Sequence, residues 1–121
     1  MRARIDEIVF DCRNPGGLVR FWAALLGGAP VDRSPDWSFV DPPGSPRLAF
    51  QRVPEGKAVK NRLHLDLDAG DVERAAAEAV TLGATRSGPV RTDSQGRFQV
   101  LLDPEGNEFC FVAGPAPGGG E

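Results

Sequence analysis

The sequence lacks a long hydrophobic run and any strong excess of charge. No apolar stretch among its 121 residues approaches the ~20 residues that a membrane-spanning helix needs. Acidic residues come too early for the apolar core of a signal peptide. The formal net charge is only -3, and the basic residues form no stripe of the kind that binds nucleic acid. We therefore expect a cytoplasmic protein with no membrane or nucleic-acid partner.

Cysteine and histidine are also scarce. The two cysteines, Cys12 and Cys110, are too few for a disulfide scaffold, and we expect free thiols in a reducing compartment. No glycine-rich phosphate-binding pattern indicates a nucleotide. The single histidine, His64, lies in the stretch KNRLHLDLDAGD, where apolar and ionisable residues alternate. This alternation predicts a strand with one buried face and one titratable face.

Periodic segments between turn residues predict the remaining elements. A first helix follows Asn14 and Pro15, which suit its cap and first turn, and a second helix follows Asp71. Glycines after each helix are suited to end it. Strands are predicted at residues 5–12, 29–34, 37–40, 47–53, 62–68, 84–89, 97–102 and 108–112.

The second half of the chain repeats the first. Shifting the sequence along itself places Ile8 on Leu65, Phe10 on Leu67 and Asn14 on Asp71. We predict an α+β fold of two βαβββ modules, at about residues 4–54 and 61–113, in one domain at residues 1–113. Their curved mixed sheets form a cup with the helices outside, a place where ligands bind. Residues 114–121 are rich in glycine and proline and are predicted to be a disordered tail.

Strand parity divides the side chains between two faces. The helix-facing side is predicted to hold Ile8, Phe10, Leu63, Leu65, Phe109 and Phe111. The opposite side is predicted to hold Glu7, Asp11, Gln51, His64, Asp66 and Cys110. A carboxylate beside His64 could fix its tautomer for general base catalysis, ligand hydrogen bonding or metal binding alike.

The stretches LAFQRVPEGK, KNRLHLDL and DPEGNEFCF, in the order β-α-β-β-β twice, resemble the vicinal oxygen chelate superfamily. That group includes glyoxalase I, bleomycin-resistance proteins and extradiol dioxygenases, and the stretches look most like glyoxalase-like domain proteins of actinobacterial type. The resemblance implies a homodimer and a small-molecule ligand. It also implies ligands for a divalent metal (zinc, iron, nickel or manganese) at positions occupied here by Glu7, Gln51, His64 and Cys110.

Only His64 keeps the residue type that is usual in this superfamily, and Cys110 replaces a glutamate. Glutamate, imidazole and thiolate are nevertheless competent ligands for zinc or iron. His64 and Glu7 are the predicted catalytic residues, and Trp37, Gln51 and Asp66 are predicted to contact the ligand. Alternatively, Cys110 is a small buried hydrophobe and Glu7 a hydrogen-bond partner of His64.

Two functions follow from these residues. In the first, the protein binds a small oxygen-bearing or aromatic molecule in the cup and acts on it as a metal-assisted lyase, isomerase or dioxygenase. Alternatively, it binds such a molecule without turnover, as bleomycin-resistance proteins do. A third possibility is a scaffold that binds a partner or serves as a fused module, with a vestigial cup. Fold resemblance alone does not choose among these.

Overall fold

The computed structural model of the chain describes residues 1–114. It contains two compact units, a first unit at Met1–Ala58 and a second unit at Val59–Glu121. Each unit has one helix and a mixed sheet, which confirms the predicted α+β class and the repeated plan. The predicted cup between the modules stays a prediction. The predicted tail, apart from Gly114, lies outside the described residues.

The first unit is a four-stranded sheet with one helix. Its elements are β1 (Glu7–Cys12), α1 (Pro15–Leu26), β2 (Val31–Ser34), β3 (Trp37–Val40) and β4 (Arg47–Arg52). The strand order is β1-β4-β3-β2, with β1 parallel to β4 and the other neighbours antiparallel. This is the predicted βαβββ order.

Helix α1 packs on one face of this sheet. The Asn14 side chain accepts a hydrogen bond from the Gly17 backbone N–H, which satisfies one of the free donors of the first turn. The Trp22 ring lies 5.6 Å from the Phe10 ring, and Phe10 also contacts Phe50. Residues of the opposite parity therefore form an open face, the face of the first sheet that α1 does not cover.

The second unit repeats this plan with an interrupted edge strand. Its elements are β5 (Leu65–Asp68), α2 (Val72–Thr81), β6 (Thr85–Arg86), β7 (Arg91–Asp93), β8 (Gly96–Leu102) and β9 (Glu108–Ala113). The order is β5-β9-β8-β6, and β7 also pairs with β8. Of the extended segment predicted at residues 84–89, only Thr85–Arg86 is a strand, and the short strand at Arg91–Asp93 was not predicted. Pro89 has no N–H for the ladder, and the Gly88 carbonyl instead accepts from Gln99 Nε2.

The predicted cap and turn of the second unit are confirmed. The Asp71 side chain accepts from the Arg74 N–H at the start of α2. The Asp103 side chain is buried in the turn between β8 and β9 and accepts from the Glu105 N–H, the Asn107 N–H and Asn107 Nδ2. This turn fixes where β9 begins, and so sets the register of Cys110.

The prediction for residues 62–64 is wrong. Strand β5 begins at Leu65, so His64 precedes the strand, and Leu63 is 64% exposed rather than facing the helix. Before Leu65 the chain is held by Glu108, which binds Lys60 Nζ and the Asn61 N–H. Side-chain contacts thus take the place of ladder hydrogen bonds before Leu65. Outside a ladder the side chains need not alternate between two faces, and the prediction for Leu63 depended on that alternation. Within residues 1–114, no helix is long and apolar enough to cross a membrane.

Candidate functional site

Three side chains with different donor atoms converge in the second unit. Asp66 on β5 is the register partner of Cys110 on β9, and His64 lies just before β5. His64 Nε2 is 3.3 Å from Asp66 Oδ1. One donor atom from each of the three residues lies within 4.8 Å of the other two. We call His64, Asp66 and Cys110 the donor cluster.

The donor cluster borders a cavity on the open face of the second sheet. Leu65 and Leu67 alternate with Asp66 and Asp68, so both aspartates point away from the helix side. The cavity has a volume of about 680 Å³. Its lining includes His64, Asp66, Asp68, Asp93, Phe98, Cys110 and Val112. The cavity therefore combines carboxylates and an aromatic ring with the donor cluster.

The Cys110 thiol is protonated in this environment. Burial, and after it the charge of Asp66 and its hydrogen bond, together raise the pKa of Cys110 to about 11. Arg97, at the same cavity, is paired with Glu73 of α2, so its charge is already compensated. A ligand thus meets a neutral thiol and several acidic groups.

The donor cluster fits a zinc or ferrous ion in donor type and number. Imidazole nitrogen, carboxylate oxygen and thiolate sulfur are all ligands of these metals, and a catalytic site needs three protein ligands and an open position. The side chains of His64 and Asp66 are 52% and 56% exposed, so an ion can reach them from solvent. A sulfur donor suits manganese less well, because manganese favours oxygen ligands.

Glu7, Gln51 and Trp37 lie on the open face of the first sheet. Gln51 is the register partner of both Asp11 and Trp37, whereas Glu7 pairs with Arg47. Because Glu7 and Gln51 are thus four residues apart in register on neighbouring strands, their Cα atoms are separated by about 14 Å. The donor cluster contains neither residue. Their predicted role as metal ligands stays a prediction.

Some residues at these faces were missed by sequence reasoning. Asp66 was predicted to contact a ligand and not a metal, although it has the same parity as His64 at a spacing of two. Asp93 and Phe98 lie on the two strands of the hairpin that turns at residues 94–95, and this strand pair was not predicted. The sequence signal was the Ser-Gln-Gly turn itself, since Gly96 adopts φ +129°.

Comparison with known proteins agrees with this architecture. The family model of the glyoxalase-like domain matches residues 7–112. A search of curated proteins finds no match to the sequence. The chain is similar to a glyoxalase/bleomycin resistance protein/dioxygenase family enzyme from Burkholderia phytofirmans PsJN, with 22% identity over 93% of this chain and 100% of that one, and a TM-score of 0.77.

Two resistance-related structures are also similar. A bleomycin-binding protein from Streptomyces verticillus, solved with copper(II)-bleomycin, has 21% identity, covers 95% of this chain and 99% of that one, and has a TM-score of 0.65. A fosfomycin resistance protein from Mesorhizobium loti has 20% identity, covers 97% of each chain, and has a TM-score of 0.72. At these identities the similarity shows the fold. With the family model covering most of its length, the chain belongs to the glyoxalase-like domain family of the vicinal oxygen chelate superfamily.

Proposed function

We propose that the protein binds a small oxygen-bearing molecule at the cavity of the second unit, next to a zinc or ferrous ion held by the donor cluster. The observation that carries this proposal is the convergence of imidazole, carboxylate and thiol within 4.8 Å beside a cavity of about 680 Å³. His64, Asp66 and Cys110 would hold the ion, which would supply Lewis-acid chemistry at a ligand oxygen and so suit a lyase or an isomerase; a dioxygenase would need the redox-active ferrous ion.

Each residue of the donor cluster has a distinct part in this proposal. The Cys110 thiol must lose its proton to become a ligand, because the thiolate is the form that binds metals. Asp66 already lies beside that thiol and accepts from it. His64 supplies a nitrogen from the exposed rim. Phe98 and Val112 provide apolar surface for the body of the ligand.

The predictions made from the family resemblance complete the proposal. Glu7 and Gln51 remain candidates for further metal ligands, with Glu7 also a candidate base, and Trp37 remains a candidate ligand contact. The homodimer and the cytoplasmic location are proposed on the same ground.

Binding without turnover is the second candidate function. Its support is the neutral Cys110 thiol, which makes the donor cluster a costlier metal site than one with glutamate at that position. The bleomycin-binding structure among the similar folds supports it as well. In this case the cavity and its carboxylates bind the ligand directly.

A thermal-shift screen of small keto acids and aromatic compounds separates the two functions. The screen is run with the metal-free protein and with the zinc-loaded protein, for wild type, His64→Ala and the control Glu78→Gln, an exposed residue of α2 outside the cavity lining. The metal-assisted function predicts shifts that need zinc and vanish in His64→Ala but persist in the control. Shifts of equal size with and without zinc contradict it and favour binding alone.

A further inference from the structure

Arg33 occupies an irregular position in the first unit. In the pairing of β2 with β3, Asp32 faces Ser38 and Ser34 faces Trp37, so Arg33 is the extra residue of a β-bulge. A bulge re-aims the side chain that it carries. Here the Arg33 guanidinium carbon lies 5.2 Å from the centre of the Phe39 ring and 5.7 Å from that of Trp37.

The guanidinium of Arg33 forms no ion pair within residues 1–114, whereas that of the neighbouring Arg47 pairs with Asp41. Arg47 also lies over Phe39, at 3.8 Å, but its guanidinium makes two hydrogen bonds to the Asp41 carboxylate. Arg33 has no carboxylate within ion-pair distance among residues 1–114. Two guanidinium groups therefore lie over the rings of Phe39 and Trp37. That of Arg47 is paired with a carboxylate, and that of Arg33 can pair with an anionic ligand.

An apolar row lies beside this cation. Val9, Ala49, Phe39 and Val31 are register partners across all four strands of the first sheet. Val9 and Val31 are 42% and 41% exposed, so the row ends in accessible apolar surface on both sides. At the adjacent position the Trp37 indole N–H is buried and finds no acceptor within the described chain.

We propose that the open face of the first sheet binds a flat aromatic monocarboxylate. The aromatic ring packs on Phe39 and Val31, at the Arg33 end of the row, and the carboxylate pairs with the Arg33 guanidinium. A carboxylate oxygen is also the acceptor that the Trp37 indole N–H lacks. The proposal concerns the first unit alone and needs no metal at the donor cluster.

Charge excludes the other ligand classes at this end of the face. A cationic ligand is repelled by Arg33, and a multiply charged phosphate finds only one uncommitted guanidinium there. Two acidic side chains of this face lie on β1. Asp11 is two strand spacings, or about 10 Å, from Trp37, and Glu7 is three strand spacings, or about 14 Å, from β2, and neither forms an ion pair with Arg33. One carboxylate on an aromatic ring is the chemistry that matches.

Benzoate is the probe, with backbone amide NMR as the readout of binding. Benzamide has the same ring without the charge, and cyclohexanecarboxylate has the charge without the aromatic ring. We expect saturable shifts at the amides of Arg33, Trp37 and Phe39 with benzoate, and weaker binding of both analogues. Arg33→Gln should weaken benzoate binding about tenfold, since a hydrogen bond to a charged group is lost.

Three further variants complete the test, two of them as controls that should leave binding unchanged. Arg52→Gln removes an exposed arginine on the other face of the same sheet and should leave binding unchanged. Trp37→Phe retains a ring but removes the indole N–H, and should weaken binding. Benzoate binding should persist in His64→Ala, which separates this proposal from the metal site. Equal affinity for benzoate and benzamide, no effect of Arg33→Gln, loss in His64→Ala, or no saturation at about 10 mM ligand overturns the proposal.

Discussion

Alkylation of Cys110 tests the geometry of the donor cluster directly. The thiolate is the form that reacts with iodoacetamide, and the pKa of Cys110 is raised from an ordinary 9.0 to about 11. At about pH 8 this pKa reduces the thiolate fraction ~100-fold. The greater nucleophilicity of a more basic thiolate restores about tenfold of the rate. We therefore expect Cys110 to react about tenfold more slowly than an ordinary thiol, and burial slows it further.

Asp66 and Asp68 offer a matched pair of substitutions. Asp66→Asn removes a negative charge beside the thiol, so it should lower the pKa of Cys110 and speed alkylation, although the larger contribution from burial remains. Asp68→Asn makes the same chemical change two residues along the same strand and should have little effect. Alkylation of the Cys110 peptide is followed by mass spectrometry across pH, which also distinguishes it from Cys12.

The reasoning is refuted if Cys110 reacts like an ordinary thiol with a rate that levels off near pH 9. It is equally refuted if the two asparagine variants behave alike.

Two further predictions concern stability. Asp103→Ala removes three hydrogen bonds that hold the β8–β9 turn, so the free energy of unfolding in urea should fall by about 3 kcal/mol; an unchanged denaturation midpoint contradicts this role. Hydrogen bonds from Arg20 and then Ser38 lower the pKa of Asp32, so its stabilising contribution is present above the unfolded-state pKa and is lost as pH falls through the lower folded-state pKa. Asp32→Asn should therefore flatten the acid limb of the stability profile, and an unchanged limb contradicts the lowered pKa.

Local signals in the sequence were sufficient for the helices and for the turn at Asp103. The caps Asn14 and Asp71 satisfy backbone donors within three residues of themselves, so their function does not depend on distant parts of the chain. The Asp103 turn is local as well, and strand parity after it placed Cys110 on the open face of β9. These elements were predictable because each is determined by neighbouring residues.

Long-range contacts account for what was missed. Glu108 holds Lys60 and Asn61 across 47 or more residues of sequence, so the strand alternation fails before Leu65. The bulge at Arg33 depends on how β2 registers with β3, and no residue type marks it in the sequence. The pairing of Asp66 with Cys110 likewise needs the parallel register of β5 with β9.

Metal content tests the central proposal most directly. Protein purified without added metal and without a histidine tag is exchanged into excess zinc or ferrous ion, dialysed and measured by elemental analysis. The account predicts about one ion per chain in wild type and in Asp68→Asn, and its loss in His64→Ala and Cys110→Ala. Absence of a bound ion from wild type after this exchange, or retention of the ion in both alanine variants, contradicts the donor cluster as a metal site.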